Sequence, residues 1–288
     1  MSNSFGSPYS HNNPQALDLA DVNNFRLEDF GFTIDAVKSN HFGIPVTDPR
    51  TGEHLPDSFY QAKIEAAVAQ AEKMLDIVIL PRVLQEHHDF YSGDFSNFAF
   101  IHAFHKPILQ VESVRIEYGG NSLYAYPSSW WKVYNLPGHI QMLPSTMLTG
   151  GSNGMSLAQV YPSLPMMTGI NSTVGNNFAP QMMHIEYVAG MLPPKRRGVT
   201  MPNEMHPDLW QLIIKMALKE VFEQWGRLII GAGIANMSMS IDGVSQSIDT
   251  TQSAMYGGAS ADIVQLNEDI AGLYKGLKSY YGTNVGLI

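Results

Sequence analysis

MHPDLWQLIIKMALKEVFEQWGR, residues 205–227, is the stretch whose reading decides the fold. Pro207 suits a first helical turn, where its missing N–H costs nothing, and Asp208 complements the positive end of the helix dipole. Trp210, Ile213, Ile214, Ala217, Val221 and Trp225 recur at three and four, so they form a wide apolar face. Gly231 and Gly233 suit the left-handed or flexible positions that close a helix. A long helix with so wide an apolar face requires other elements to cover it. Two further helical runs offer themselves. One follows Pro56, with Asp57 or Ser58 as its cap; Ala62, Ile64, Ala67, Val68, Ala71 and Leu75 carry it to about Ile79, before Pro81. The other spans Ser260 to Tyr281 on Ile263, Leu266, Ile270, Leu273 and Leu277, and Gly282 stops it.

Between these helices the period changes. Arg82 to Tyr91 reads as a strand or an irregular connection. Val111, Val114 and Ile116 alternate loosely with polar residues and end at the turn Tyr118-Gly119-Gly120-Asn121. Trp130, Trp131, Val133 and Tyr134 form a β-prone run, Pro137-Gly138 a turn, and His139 to Leu143 a clean alternation. His184 to Val188 is a further strand. The pattern predicts three or four short antiparallel strands. The class is α+β: a helical core with long C-terminal helices, a small antiparallel β hairpin or sheet, and a long inserted loop. That loop, 144–181, is far longer than the usual limit of about 12–15 residues, which marks it as functional or disordered. Its Tyr161, Met166 and Met167 favour an adaptable contact surface over a pure linker. The expected organisation is an N-terminal extension (1–55) with a short helical patch near Asp35 to Ser39, a core (56–231), and a C-terminal arm and helix (232–288).

Composition narrows the function. Only 15% of the 288 residues are charged, against a norm of about 25%. Either partners cover much of the surface, or Ser, Asn and Gly do. The net charge is −9 and Lys195-Arg196-Arg197 is the only basic cluster, which argues against a grip on nucleic-acid phosphates. An acidic wall would instead let a duplex slide. Without cysteine there is no disulfide and no thiolate metal site. The N-terminus lacks the pattern of a secretory signal, and no apolar run reaches the ~20 residues of a membrane helix. The chain therefore reads as made in the cytoplasm.

Candidate chemistry is sparse. Gly150-Gly151-Ser152-Asn153-Gly154 matches the nucleophile-elbow pattern, but lies within loop rather than between strand and helix. Gly231-Ala232-Gly233 has Asn236 where a dinucleotide fingerprint needs its third glycine. His87-His88-Asp89, His102, His105 and Asp94 are the best metal candidates. Adjacent histidines on a strand point to opposite faces, as would His102 and His105, so they read as structural or surface residues with no metal. Glu65, Glu72, Asp76, Glu220 and Glu223 read as solvated helix faces. No catalytic residue and no cofactor is assigned.

The segments FAFIHAFHKPILQVESVRIEYGGN (98–121), SSWWKVYNLPGHIQMLPS (128–145), MMHIEYVAGMLPP (182–194) and 205–227, in that order, resemble the head–tail connector (neck adaptor) family of tailed bacteriophages. The resemblance rests on Pro107, Val111, Val114, Tyr134, Pro137, Gly138, Ile140, Leu143, Tyr187, Ala189, Gly190 and Pro207. SIDGVSQSIDTTQSAMYGG (240–258) also resembles tails of larger phage neck proteins. The inserted loop and the N-terminal extension depart from the family pattern. The resemblance implies a structural virion protein, not an enzyme. It would form a commonly dodecameric ring of identical copies beneath the portal protein, bridge to a downstream neck or tail protein, and line the channel through which genome DNA passes without sequence-specific binding or any membrane. It also implies contact roles. Helix 207–230, with Trp210 and Trp225, and the strands would build the protomer and its ring contacts. Ile241, Asp242, Ser247, Ile248, Asp249, Met255 and Tyr256 would reach the portal, and Tyr161, Met166 and Met167 a neighbour or tail-side protein. Two other classes stay open: another virion part, such as a tail terminator, baseplate or decoration component, and a metal-dependent hydrolase using His87, His88, Asp89 or His102.

Overall fold

The computed structural model describes residues 22, 24–41, 43–48, 50–91, 100–118, 121–142, 178–194, 203–230, 236–241, 244–249 and 260–282. The fold is α+β. The described chain forms two compact units that interleave in sequence. One holds Asp76–Glu204, and the other joins Arg26–Leu75 to Met205–Gly282.

The first unit is built on strands β1 (Arg82–Tyr91), β2 (Phe100–His102), β3 (Ile108–Tyr118), β4 (Asn121–Ala125), β5 (Trp131–Tyr134), β6 (His139–Met142) and β7 (Phe178–Ala189). One antiparallel sheet has the order β1-β7-β3-β4, and a second has the order β2-β6-β5. The β component is therefore larger than three or four short strands. The central strand β7 is 12 residues long, and its last part carries the expected His184–Val188. Residues 178–181, expected in the inserted loop, begin this strand; residues 143–177 lie outside the described residues.

Alternation of side chains along a strand explains how the sheet is used. Met183, Ile185 and Tyr187 of β7 and Val114 and Ile116 of β3 enter a core with Ile101, Ile140 and Met142 of the smaller sheet. His184 and Glu186, or Arg115 and Glu117, take the alternate positions. Asn135 is 1% exposed, and its Nδ2 donates to the Ile108 carbonyl at 2.8 Å, tying the β5–β6 turn to the start of β3. Gly138 in that turn has φ +72°, as its Pro-Gly signal predicts.

The second unit contains α1 (Ile34–Ser39), α2 (Asp57–Leu75), α3 (Pro207–Ile230), the strands β8 (Asn236–Ile241) and β9 (Val244–Asp249), and α4 (Ser260–Tyr281). Helix α3 packs against both α2 and α4. That is why its apolar face is so wide: Leu209, Leu212, Ile213, Ile214, Ala217, Leu218, Val221 and Phe222 are all buried. The facing residues include Ile64, Ala67 and Ala71 of α2 and Ile263, Leu266 and Leu277 of α4.

Three boundaries differ from the sequence reading. Helix α2 stops at Leu75 rather than near Ile79, because Asp76 takes φ +54° and the chain leaves extended; Val78 then donates to the Lys106 carbonyl at 2.7 Å. Residues 26–55 are not a separate extension. Phe30, Phe32, Val37, Val46 and Leu55 are buried, since apolar side chains too few to fold alone can join a larger core. Helix α4 is not part of an arm. It is tied to α3 by the Lys215–Asp269 ion pair, and Tyr281 Oη accepts from the His206 amide at 3.2 Å.

Gly190, in the Tyr-x-Ala-Gly motif, has a steric cause. Its φ is +136°, and a Cβ there would lie 2.6 Å from Pro81 Cα. Gly190→Ala is expected to destabilise the protein by about 2–4 kcal/mol through strain and overpacking. Urea unfolding followed by circular dichroism measures it, and a loss within ~0.5 kcal/mol would refute the steric account.

Candidate functional site

The first unit places ionisable groups on both faces of its main sheet, because neighbouring residues of β1 point opposite ways. On the core face Glu86 is 6% exposed. Its carboxylate accepts from His88 Nε2 at 2.9 Å, from His105 Nδ1 at 3.1 Å and from the Phe104 amide at 3.0 Å. The Tyr187 hydroxyl also donates to Glu86, and itself accepts from the His105 amide at 3.2 Å. Burial alone would raise the Glu86 pKa. The bonds from His88, Tyr187, the Phe104 amide and His105 outweigh it and hold the group down at about 2. Burial, then the bond to Glu86, pushes Tyr187 up. This network orders residues 103–105 between β2 and β3. His105 lies half-exposed at its rim.

On the opposite face His87 pairs across the strands with His184, and His184 with Arg115. The two imidazole rings meet edge to face, centroids 4.7 Å apart. Arg115 Nη2 donates to His184 Nδ1 at 3.0 Å, and Arg115 Nε lies 3.3 Å from Glu117 Oε1. Glu186 extends the row: it accepts from Gln85 at 3.2 Å, and its Oε2 is 3.9 Å from Arg115 Nη2. Ligand atoms of His87, Glu117 and His184 all lie within 4.8 Å of one another. Burial foremost lowers the His184 pKa; Glu117 opposes it and Arg115 adds to it.

The metal candidates are thus split. His87 and His88 face opposite ways, as expected. His102 meets His139 edge to face at 4.2 Å, while His105 turns to Glu86, because β2 ends at His102 and His105 follows in a loop. Asp89 accepts from the Gln181 amide at 2.9 Å. Asp94 lies outside the described residues, as do the Gly150–Gly154 and Gly231–Gly233 motifs. The partners His184 and Glu117 were missed because cross-strand register brings them together over large sequence separations. Glu220 pairs with Lys63 at 3.4 Å and Glu223 with Lys219 at 3.7 Å, so these carboxylates serve helix surfaces.

The predicted contact residues fall into three groups. Trp210 and Trp225 are spent inside the second unit. Trp210 Nε1 donates to the Gly31 carbonyl at 3.1 Å, and Trp225, 8% exposed, donates to the Thr47 carbonyl at 2.8 Å. Trp225 is thus buried with its N–H satisfied, while Trp210 is half-buried with its N–H satisfied. Ile241, Ser247, Ile248 and Asp249 lie on an antiparallel ribbon of β8 and β9 that the sequence reading did not identify. Tyr161, Met166, Met167, Asp242, Met255 and Tyr256 lie outside the described residues.

The ribbon has a regular antiparallel register. Its register puts Met237 opposite Ile248, Met239 opposite Gln246 and Ile241 opposite Val244; the alternate pairs are Asn236 with Asp249, Ser238 with Ser247 and Ser240 with Ser245. The missed signal was the Asp-Gly dipeptide at 242–243, which favours a hairpin between alternating segments. Among the described residues neither outer edge of the ribbon is paired. No protein-family model matches the chain, and no curated protein matches it.

The Glu86 network makes a pH prediction. A carboxyl whose folded pKa lies at about 2, below its ordinary 4.5, adds stability that is fully present above pH 4.5 and is lost as pH falls toward 2. Glu86→Gln is expected to cost about 2 kcal/mol at pH 7. It should also flatten the loss of stability over that acid window, as read by urea unfolding at several pH values. An unchanged acid slope would show that Glu86 does not carry it.

Proposed function

We propose that this chain is a structural virion protein, the head–tail connector of a tailed bacteriophage, acting as an adaptor ring beneath the portal and having no catalytic turnover. The supporting observation is the placement of the residues that carry the resemblance. Pro107 leads into β3, which holds Val111 and Val114. Tyr134, Pro137, Gly138 and Ile140 form the β5–β6 hairpin. Tyr187 and Ala189 end β7, Gly190 follows it, and Pro207 opens α3. The described residues of the pattern thus fall in β3, the β5–β6 hairpin, the end of β7 and the start of α3, in the expected order; Leu143 lies outside the described residues.

The β8–β9 ribbon supports the contact role. A two-stranded ribbon is marginal in water by itself, and among the described residues β8 and β9 pair only with each other, so the ribbon gains from a partner strand or surface. The portal protein, or a neighbouring copy in the ring, is the partner in this reading. A net charge of −9 and low charge density suit a channel wall past which genome DNA slides. Among the described residues no helix is long and apolar enough to cross a membrane. The site of action is then the virion neck, with the remaining contacts going to a downstream neck or tail protein.

Negative-stain electron microscopy of the protein, alone and mixed with the portal from the same genome, tests the reading. Rings stacked coaxially on the portal are expected, and an intact portal with nothing attached would sink it. Replacing residues 236–249 by a short Gly/Ser linker should leave the helical circular dichroism unchanged and abolish docking. Deleting 238–288 would not separate these effects, because α4 is part of the second unit's core. Docking retained by the linker variant would rule out the ribbon as the contact.

A further inference from the structure

We propose that His87, Glu117 and His184 form a binding site for a divalent transition-metal ion of the zinc class, with Arg115 as the cation that occupies the cluster when no metal does. The inference does not depend on the connector reading. His87 on β1 and His184 on β7 are directly paired, and Arg115 on β3 is paired to His184 from the other side. Glu117 lies two residues beyond Arg115 and so shares its face. Three adjacent strands of a hydrogen-bonded sheet therefore hold the donors, which is a more rigid frame than a loop.

The distances allow closure without backbone movement. Zinc binds imidazole nitrogen and carboxylate oxygen at about 2.0–2.2 Å, which sets ligand atoms roughly 3–3.5 Å apart. The three ligand atoms here already lie within 4.8 Å of one another, so side-chain rotations suffice. Two imidazoles and one carboxylate form a recurrent three-ligand set that leaves a position for water. His184 is 4% exposed and its burial favours the neutral ring, the form that binds metal.

Arg115 is the distinctive part. Its guanidinium can only donate, and it uses the lone pair of His184 Nδ1, at 3.0 Å. Its Nε lies 3.3 Å from Glu117 Oε1, yet this buried atom makes no hydrogen bond. The same two groups that would ligate a metal thus already face a cation, one that fits them imperfectly. Glu186 Oε2, 3.9 Å from Nη2, gives the guanidinium another carboxylate to move to. Metal and Arg115 compete for the same groups, so removing the arginine should tighten the metal. A cluster serving only as a surface ladder would gain no metal affinity from that change.

The test is zinc titration of tag-free, full-length protein by calorimetry, with metal content measured by mass spectrometry after dialysis. One equivalent per chain is expected. Arg115→Gln should tighten binding by about tenfold. His87→Ala and Glu117→Gln should each weaken it by about a hundredfold, at least what losing an outer-shell partner costs. His87 is exposed, so its variant keeps the fold, and circular dichroism verifies this for all variants. His102→Ala should bind zinc as the wild type does. Absence of stoichiometric zinc from both the wild type and a folded Arg115→Gln overturns the proposal. So does zinc that survives His87→Ala, or that is lost with His102→Ala, which would place the ion at the His102–His139 pair.

Discussion

Strand β7 is hydrogen-bonded along both edges, to β1 and to β3, and the first unit depends on this double pairing. A strand held on both sides cannot slip by one residue without turning its whole apolar set to the other face. Its alternation therefore sorts the unit. Met183, Ile185 and Tyr187 go into the core between the two sheets, while His184 and Glu186 go to the opposite face. Both ionisable clusters follow from this sorting. Glu86 sits on the core face and is tolerated there because every approach to its carboxylate is a donor. His87, one residue along β1, is sent to the face of His184.

The second unit follows from a different constraint. The apolar face of α3 is too wide for a single neighbour, so it is enclosed by α2 and α4, with residues 26–55 adding further cover. Two indole N–H groups on α3 find carbonyls in that N-terminal segment, at Gly31 and Thr47. A buried donor left without a partner would be costly. The segment that reads as a polar extension is thereby drawn into the fold. Among the described residues β8 and β9 pair only with each other.

Helices were the most legible part of the sequence. Pro207 and the three-four spacing set α3, and α4 runs over the span that its Leu and Ile pattern predicts. The Tyr118–Asn121 and Pro137-Gly138 turns mark where strands reverse, because glycine and proline restrict or free φ locally. Local pattern also separated His87 from His88. It did not reveal β8 and β9, although Asp242-Gly243 signals a hairpin, because serines dilute the alternation there. It also overran α2, since Ile77, Val78 and Ile79 are as apolar as the helix before them.

What the sequence determined by itself was the set of elements: the α+β class, three long helices, the turn positions, and a composition poor in cations for gripping DNA. These depend on spacing within a few residues, which the chain carries locally. The tertiary structure alone decided who meets whom. It joined His87, Arg115, Glu117 and His184 across three strands, directed four donors at Glu86, and turned Trp210 and Trp225 inward. Such pairings are set by strand register and helix packing over separations of up to 179 residues, and no local pattern encodes them.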